Sequence, residues 1–301
     1  MTSPLSRLRH RLASFGDTGR RRVPLLRRVP PLPLLIELAA RVGYGARGLV
    51  YLSVGALTLG AALGWIGEAV GTRGSIVWLS QQPLGRLWLL LLGLGLAAFV
   101  FWRVLQAVFD ADHEGLSREG LGMRFGQAVS GLTYAALAIT TFHMLIDRPE
   151  NANAADVERS RQTAEQVLSM PFGNWLLIAG GLVLFGIGIV NVSRAWREDF
   201  TEYLACSERT CRRIAPLAQA GYIARGLAWL PLAFLVIMAG WRKRPSDATS
   251  FGAALDAIDK QPAGEWILAL TAFGFIAFGI FSFAEARFRR IRPPRDLSLS
   301  K

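Results

Sequence analysis

A nine-residue motif occurs three times in this chain, and its repetition constrains the fold more than any other sequence feature. The three copies are GYGARGLVY at 43–51, GQAVSGLTY at 126–134 and GYIARGLAW at 221–229. About 40 residues after the start of each copy comes a second shared motif, Pro-x-Gly, at 83–85, 171–173 and 262–264. Repetition in a fixed order indicates that one structural unit occurs several times. The sequence therefore predicts three copies of one unit.

Each predicted unit contains two apolar segments that are long enough to cross a bilayer. Apolar residues make up 52% of the chain and concentrate in six blocks: Gly48–Ile66, Leu87–Ala107, Ala128–Ile146, Trp175–Ser193, Ile223–Trp241 and Trp266–Ala284. Each block is close to the ~20 residues with which a helix spans a hydrocarbon core. The alternative, six helices buried in a soluble bundle, predicts a polar stripe along each helix, and the middle of every block lacks charged residues.

These patterns predict an all-α fold, a polytopic membrane helix bundle. Six transmembrane helices form three two-helix repeats, and each repeat has an even number of spans. All three repeats therefore share one orientation and are related by pseudo-threefold symmetry along the membrane normal, a parallel arrangement. The predicted segments are a basic, Pro-rich tail (1–37), repeat 1 (38–112), repeat 2 (121–199), repeat 3 (216–290) and a second tail (291–301).

Basic residues are distributed unevenly between the two sides of the predicted bundle. By position, 25 of the 34 Lys and Arg residues lie in the tails and in the two loops between repeats. Because Lys and Arg accumulate on the cytoplasmic side, we predict that both termini are cytoplasmic. The net charge of +12 can indicate nucleic-acid binding. Here it is better explained as the topology signal, so we expect anionic membrane lipids as partners, with other membrane proteins as further candidates, and no nucleic acid.

Two other local features have competing interpretations. Cys206 and Cys211 lie in the second predicted cytoplasmic loop, where reduced thiols are expected; a redox or metal role is the alternative. A signal peptide is an alternative for the N-terminus, but Pro33 and Glu37 interrupt its apolar stretch, which favours a disordered or membrane-surface tail.

The repeated motif supplies the first candidate site residues. Tyr44 and Arg47 in repeat 1 correspond to Tyr222 and Arg225 in repeat 3. In one interpretation the four side chains form a binding site for lipid or a partner. In the other they are interfacial anchors whose long side chains reach toward lipid headgroups. The motif glycines Gly48, Gly131 and Gly226 are expected to face neighbouring helices, because glycine lets backbones approach closely.

The second helices of the repeats supply the remaining candidates. Arg194 and Glu285 occupy the same position, 21 residues after the glycine of their Pro-x-Gly motifs. We predict that this Arg and Glu pair across the mouth of the bundle, with interfacial anchoring as the alternative. Ahead of each Pro-x-Gly motif an i, i+3 apolar pair predicts a short helix on the outer surface. The pairs are Ile76 with Leu79, Ala164 with Val167, and Leu255 with Ile258.

The two motifs and their triplication resemble a bacterial membrane family catalogued only as a domain of unknown function (family 1206). The resemblance covers about residues 38–290 and implies a two-helix unit that is present three times. Repeat 2 departs from the motif, because Gln127 replaces the tyrosine and Ser130 the arginine. Arg124 lies two residues before its motif glycine, as Arg41 does in repeat 1, and is a candidate to compensate. The resemblance implies no activity, so function must be argued from the site.

Function is predicted from what the sequence contains and lacks. It has no metalloprotease, nucleophile-elbow or phosphate-loop motif, so we expect no enzyme, no catalytic residue, no metal and no cofactor. The leading hypothesis is a multi-pass protein of the bacterial inner membrane with a structural, lipid-interacting or partner-binding role. The alternative is a small-solute channel or transporter with a path along the pseudo-threefold axis, for which Thr58, Thr140 and Thr141 are weak candidates.

Overall fold

The computed structural model describes residues 32–146 and 152–291, and within these ranges the chain is built from α-helices without a β-strand. The helices are α1 (Leu32–Ala62), α2 (Thr72–Gln81), α3 (Gly85–Phe109), α4 (Arg118–Ile146), α5 (Ala152–Leu168), α6 (Gly173–Arg197), α7 (Glu208–Arg242), α8 (Phe251–Asp259) and α9 (Gly264–Phe288). A short 3-10 helix at Pro245–Asp247 precedes α8.

Six of the described helices are long and apolar enough to cross a membrane, in agreement with the sequence prediction. They are α1, α3, α4, α6, α7 and α9. Helix α1 begins at Leu32 and so includes residues that were predicted to belong to the tail. Pro33 lies in its first turn, where proline costs no hydrogen bond. The rest of the two predicted tails, 1–31 and 292–301, lies outside the described residues.

The Pro-x-Gly motif forms the same turn in all three repeats. Its middle residue precedes the second long helix and has a left-handed backbone, with φ of 61° at Leu84, 60° at Phe172 and 59° at Ala263. The following glycine lies directly against a carbonyl oxygen in the last turn of the preceding short helix, and a Cβ there would collide with it. The motif therefore requires glycine because backbone fills the space of a side chain.

Equivalent contacts join the three repeats in a closed cycle. At each junction a small residue on the second long helix of one repeat lies at the first long helix of the next. That residue is Gly93, Gly181 or Ala272, each eight positions after its Pro-x-Gly glycine. A Cβ on the glycine of each contact would approach its neighbour to 2.5–2.9 Å: Gly93 with Phe142, Gly181 with Ile237, and Gly55 with the Ala272 carbonyl. The helix pairs are α9 with α1, α3 with α4, and α6 with α7. The repeats therefore pack cyclically, as expected for the predicted pseudo-threefold arrangement.

Two arginines reinforce the cycle by capping helix C-termini. The Arg41 guanidinium donates to the carbonyl oxygens of Ala286 and Arg287 at 2.8 and 2.9 Å, at the end of α9. Arg124 donates in the same way to the carbonyls of Ala107 and Val108 near the end of α3. Cations stabilise the negative end of a helix. Arg124 thus repeats the role of Arg41 and does not compensate for the arginine that repeat 2 lacks.

The three predicted short helices are present as α2, α5 and α8, and they contact one another at one end of the bundle. Their inward residues Ile76, Ala164 and Leu255 are buried. Arg73 on α2 links this layer to the bundle, because it donates to Asp156 of α5 and to Thr140 of α4. The helices therefore cap this end of the bundle.

The prediction of reduced thiols is wrong for the structure. Cys206 and Cys211 form a disulfide, with their Cα atoms 5.7 Å apart, within the range that a disulfide bridges. Ser207 between them caps α7 through its hydroxyl, which accepts from the Thr210 amide. The turn into the helix brings the two sulfurs together, whereas the sequence argument considered only the expected compartment.

Candidate functional site

The two long helices of repeats 1 and 3 pack tightly against each other. Ten residues after the Pro-x-Gly glycine, Gly95 contacts Ala46 and Gly274 contacts Ala224. Gly43 and Gly221, the first motif glycines, lie against Phe99 and Phe278. These Gly–Ala contacts bring the backbones together, and an aromatic ring fills the space beside each.

Repeat 2 has larger residues at the positions of the Gly–Ala contact of repeats 1 and 3. It has smaller residues at the positions where those repeats have aromatic rings. Val129 and Val183 replace the alanine and the glycine, and Ile187 replaces the phenylalanine. Gln127 and Val190 replace Tyr44 and Trp102 of repeat 1.

The consequence is a cleft of about 400 Å³ between α4 and α6, lined by all five of the substituted positions in repeat 2. A Cβ on Gly126 would meet nothing within 4 Å, in contrast to Gly43 and Gly221. Val129 and Val183 line this space at the positions where Gly–Ala pairs close the other two repeats, and Ile187 stands where those repeats have a phenylalanine. We refer to this space as the repeat 2 cleft.

The repeat 2 cleft has an apolar mouth and a charged interior. At the mouth, Val183, Val190 and Phe125 are 60%, 54% and 71% exposed. They lie on helices that are long and apolar enough to span a membrane. The interior is lined by eight charged side chains: Arg103, Arg194, Arg225, Arg289, Asp112, Glu114, Glu198 and Glu285. An apolar opening that leads to charged groups fits a ligand with both characters.

Arg47 lies beside this interior and is 1% exposed. Its Nε donates to Ser282 Oγ at 3.1 Å, and a terminal nitrogen bonds to the Glu285 carboxylate. Its guanidinium carbon is 5.0–5.3 Å from the ring centres of Tyr44, Phe99 and Phe278. The interfacial-anchor interpretation is therefore wrong for Arg47, which is bound inside the bundle.

The network continues from Glu285 to Arg289 and Asp112. Arg289 donates to both carboxylates at 2.9 Å, and Gln106 Nε2 also donates to Asp112. Sequence reasoning assigned neither Arg289 nor Asp112 a partner or a place in the site. Nothing local marks Asp112, because it acts across 177 residues of sequence.

The other predicted candidates have different environments. Tyr44 is fully buried and its hydroxyl accepts from Trp102 Nε1 at 3.2 Å. Tyr222 is partly buried and stacks on Phe200, with ring centres 4.8 Å apart. Both rings pack within the bundle, so Tyr44 also does not act as an interfacial anchor.

The predicted pair between Arg194 and Glu285 is wrong. Arg194 Nε donates instead to Glu198 at 2.6 Å, the residue that directly follows α6. Glu285 is bonded to Arg47 and Arg289. Arg194 and Glu285 nevertheless both line the repeat 2 cleft. Contact of any of the six candidate residues with a lipid or partner stays a prediction.

Arg225 differs from Arg47 although it has the same position in the motif. Among the described residues it forms no hydrogen bond and no ion pair, and its Nε is buried without a partner. Its guanidinium carbon lies 5.6 Å from the Tyr51 ring centre and 5.3 Å from that of Phe278. The rings offer a weak attraction for a cation, so the charge of Arg225 lacks a carboxylate partner.

The loops at the polar end of the cleft add a titratable pair. Tyr203 Oη donates to Glu114 Oε1 at 3.2 Å. Burial raises the pKa of the Glu114 carboxyl, and the hydrogen bond from Tyr203 only partly opposes this shift. Burial also raises the pKa of the Tyr203 phenol, as does the neighbouring Glu114. Where the structure describes the chain, no group of three or more His, Cys, Asp or Glu residues is arranged to hold a metal ion.

Fold and site together define a six-span helical membrane protein made of three parallel repeats, with a cleft inside the second. The chain belongs to the family described as Domain of Unknown Function (DUF1206), whose model matches residues 42–110, 125–198 and 220–289. It is also similar to the "Uncharacterized protein YxxB" of Bacillus subtilis (strain 168), with 30% identity over 262 residues, 85% of this chain and 92% of the relative. No solved structure matches the chain.

Proposed function

We propose that this protein is a non-enzymatic, lipid-binding protein of the bacterial inner membrane, and that the repeat 2 cleft is its binding site. The observation that carries the proposal is the opening of the cleft through exposed apolar residues of α4 and α6. A membrane lipid has the matching chemistry, because its acyl chains suit the apolar mouth and its headgroup suits the charged interior.

Access from the bilayer supports a lipid rather than a soluble metabolite. Val183 and Val190 lie in the apolar part of α6 and are more than half exposed. In a bilayer these side chains face acyl chains, so a lipid enters by lateral movement. The volume of about 400 Å³ is in the range of small-ligand sites and holds a headgroup with the adjoining part of a chain.

The channel alternative has less support. Aromatic side chains fill the space between the repeats, including Tyr51, Phe99 and Phe278, each no more than 7% exposed. Of the threonines that were candidates to line a path, Thr141 donates to its own helix and Thr140 accepts from Arg73. A path along the axis would have to displace this packing.

The test is to fill the cleft and measure the bound lipid. Val183→Trp places a large ring in the opening, so we expect retained lipid to fall by at least half, as measured by mass spectrometry of protein purified in mild detergent. Leu182→Trp is the matched control, because Leu182 is 57% exposed on the same helix and does not line the cleft. Equal lipid retention in the two variants would contradict the proposal.

A further inference from the structure

The three repeats place corresponding residues at equivalent helix junctions, and these junctions differ in charge. Where α1 meets α9, Arg47 bonds to Ser282 and Glu285. These two residues follow their Pro-x-Gly glycine by 18 and 21 positions. The buried charge of Arg47 at this junction is neutralised, because the cation has a carboxylate partner.

At the junction of α7 with α6, a second arginine occupies the position of that carboxylate. Arg225 corresponds to Arg47, Asn191 to Ser282, and Arg194 to Glu285. The contacts between the helices are also equivalent, since Gly226 lies against Gly188 as Gly48 lies against Gly279. The same packing that brings a Glu to Arg47 therefore brings an Arg toward Arg225, and both arginines line the repeat 2 cleft.

None of the four carboxylates that line the cleft pairs with Arg225. Glu198 bonds to Arg194, Asp112 and Glu285 bond to Arg289, and Glu114 accepts a hydrogen bond from Tyr203. Arg225 is left without a carboxylate, since within residues 32–146 and 152–291 it has neither a hydrogen bond nor an ion pair. Removing a cation from water without a counter-charge is costly.

Arg103 also lines the cleft, and among the described residues its guanidinium, like that of Arg225, has no carboxylate partner. It donates to the Gln106 side-chain oxygen at 3.0 Å, and its Nε is buried with no partner. Arg103 and Arg225 thus each have an unused donor and no carboxylate, and Arg194, which has one ion pair, lines the same cleft. Guanidinium groups bind phosphate and carboxylate with paired, charge-assisted hydrogen bonds.

We infer that Arg225, Arg194 and Arg103 bind a phosphate or carboxylate group at the inner end of the repeat 2 cleft. The anion supplies Arg225 with the counter-charge that the Glu285 carboxylate gives to Arg47. The inference rests on the proposed function, which supplies the apolar part of the ligand, so the ligand is an anionic phospholipid. It adds the headgroup class and the residues that select it.

The experiment titrates the purified full-length protein with phosphatidylglycerol, phosphatidylcholine and soluble glycerol phosphate. Lipid binding is followed by native mass spectrometry, and the phosphate compound by thermal shift. Loss of one charged hydrogen-bonding group weakens binding about tenfold or more. We expect this loss for phosphatidylglycerol in Arg225→Gln and in Arg194→Glu, with weak phosphatidylcholine binding unchanged.

The variants separate binding from folding. Arg194→Glu supplies the carboxylate that Arg225 lacks but removes the partner of Glu198. Combined with Glu198→Gln, which removes the like charge, it should melt no lower than the wild type in the absence of added lipid while it rejects the anionic headgroup. Arg212→Gln on α7, the helix of Arg225, removes an equal charge at a side chain that is 81% exposed, and it should bind phosphatidylglycerol as the wild type does.

Each other outcome overturns a distinct claim. If the wild type binds the two lipids with equal affinity, and Arg225→Gln binds them equally well, the anion site is refuted and the proposed lipid binding stands. Failure of the wild type to bind either lipid refutes the proposed function. If glycerol phosphate saturates the wild type at the concentration used for the lipids and fails to bind Arg225→Gln, the anion site is supported and a lipid is refuted as the source of the anion.

Discussion

Replacement of Arg47 by lysine is the most direct test of the buried charge network. Lysine keeps the positive charge and a similar length, so an interfacial anchor would tolerate the change. In the structure Arg47 instead donates to Ser282 Oγ at 3.1 Å while a second nitrogen bonds to Glu285. A single ammonium group cannot reproduce both bonds in the fork geometry of a guanidinium.

The cost follows from the contacts that are lost. A buried hydrogen bond contributes about 1 kcal/mol, and each contact of a cation with an aromatic ring about 0.5–1 kcal/mol. Three rings surround the Arg47 guanidinium, and an ammonium contacts fewer of them. We expect Arg47→Lys to destabilise the protein by about 2 kcal/mol, and Arg47→Gln by about 3 kcal/mol, near the lower end for breaking a buried ion pair. The loss stays near that end because Arg289 still pairs with Glu285 at 2.9 Å.

Thermal unfolding of the detergent-solubilised protein measures both variants. A loss of 2 kcal/mol corresponds to a fall in Tm of roughly 3 °C for a chain of 301 residues, from the typical entropy of unfolding per residue. Arg212→Lys is the control, since its exposed side chain should leave Tm unchanged. Glu285→Gln combined with Arg47→Gln should cost less than the sum of the two single changes, because the pair is coupled. The buried ion pair of Arg47 with Glu285 would be refuted if Arg47→Lys melted at the wild-type Tm and the effects of Arg47→Gln and Glu285→Gln were additive in the double variant.

Two further predictions concern the turns and the orientation. Ala263→Gly should raise Tm, because glycine relieves the left-handed backbone at φ 59° by about 1 kcal/mol. Gly264→Ala should lower Tm, because its Cβ would collide with the Ile258 carbonyl. A lower Tm for Ala263→Gly than for Gly264→Ala in thermal unfolding would contradict this account of the turn. Reporter fusions after Lys301 and within 151–158 should lie on opposite sides of the membrane, the first in the cytoplasm, and fusions that report the same side would exclude six spans.

The sequence alone was enough to predict the helices and their grouping. The number of spans, the three short helices and the cyclic repeats were predictable because each depends on local composition or on a motif that recurs. The position of the glycines at helix contacts was predictable for the same reason, as Gly48 and Gly226 show. Helix α1 begins earlier than predicted because the proline that seemed to interrupt it fits a first turn.

Tertiary structure decided which side chains meet. Arg47 and Glu285 are 238 residues apart, and no local pattern specifies that their helices are neighbours or that both side chains face inward. The same is true of the cleft: Val129 and Val183 are ordinary apolar residues in sequence, and only the packed helices show that both line an open space where the other repeats have Gly–Ala pairs. The disulfide likewise arises from the turn before α7. Hydrophobic length is a property of each segment, whereas charge pairing and empty space belong to the relation between segments, which only the packed helices define.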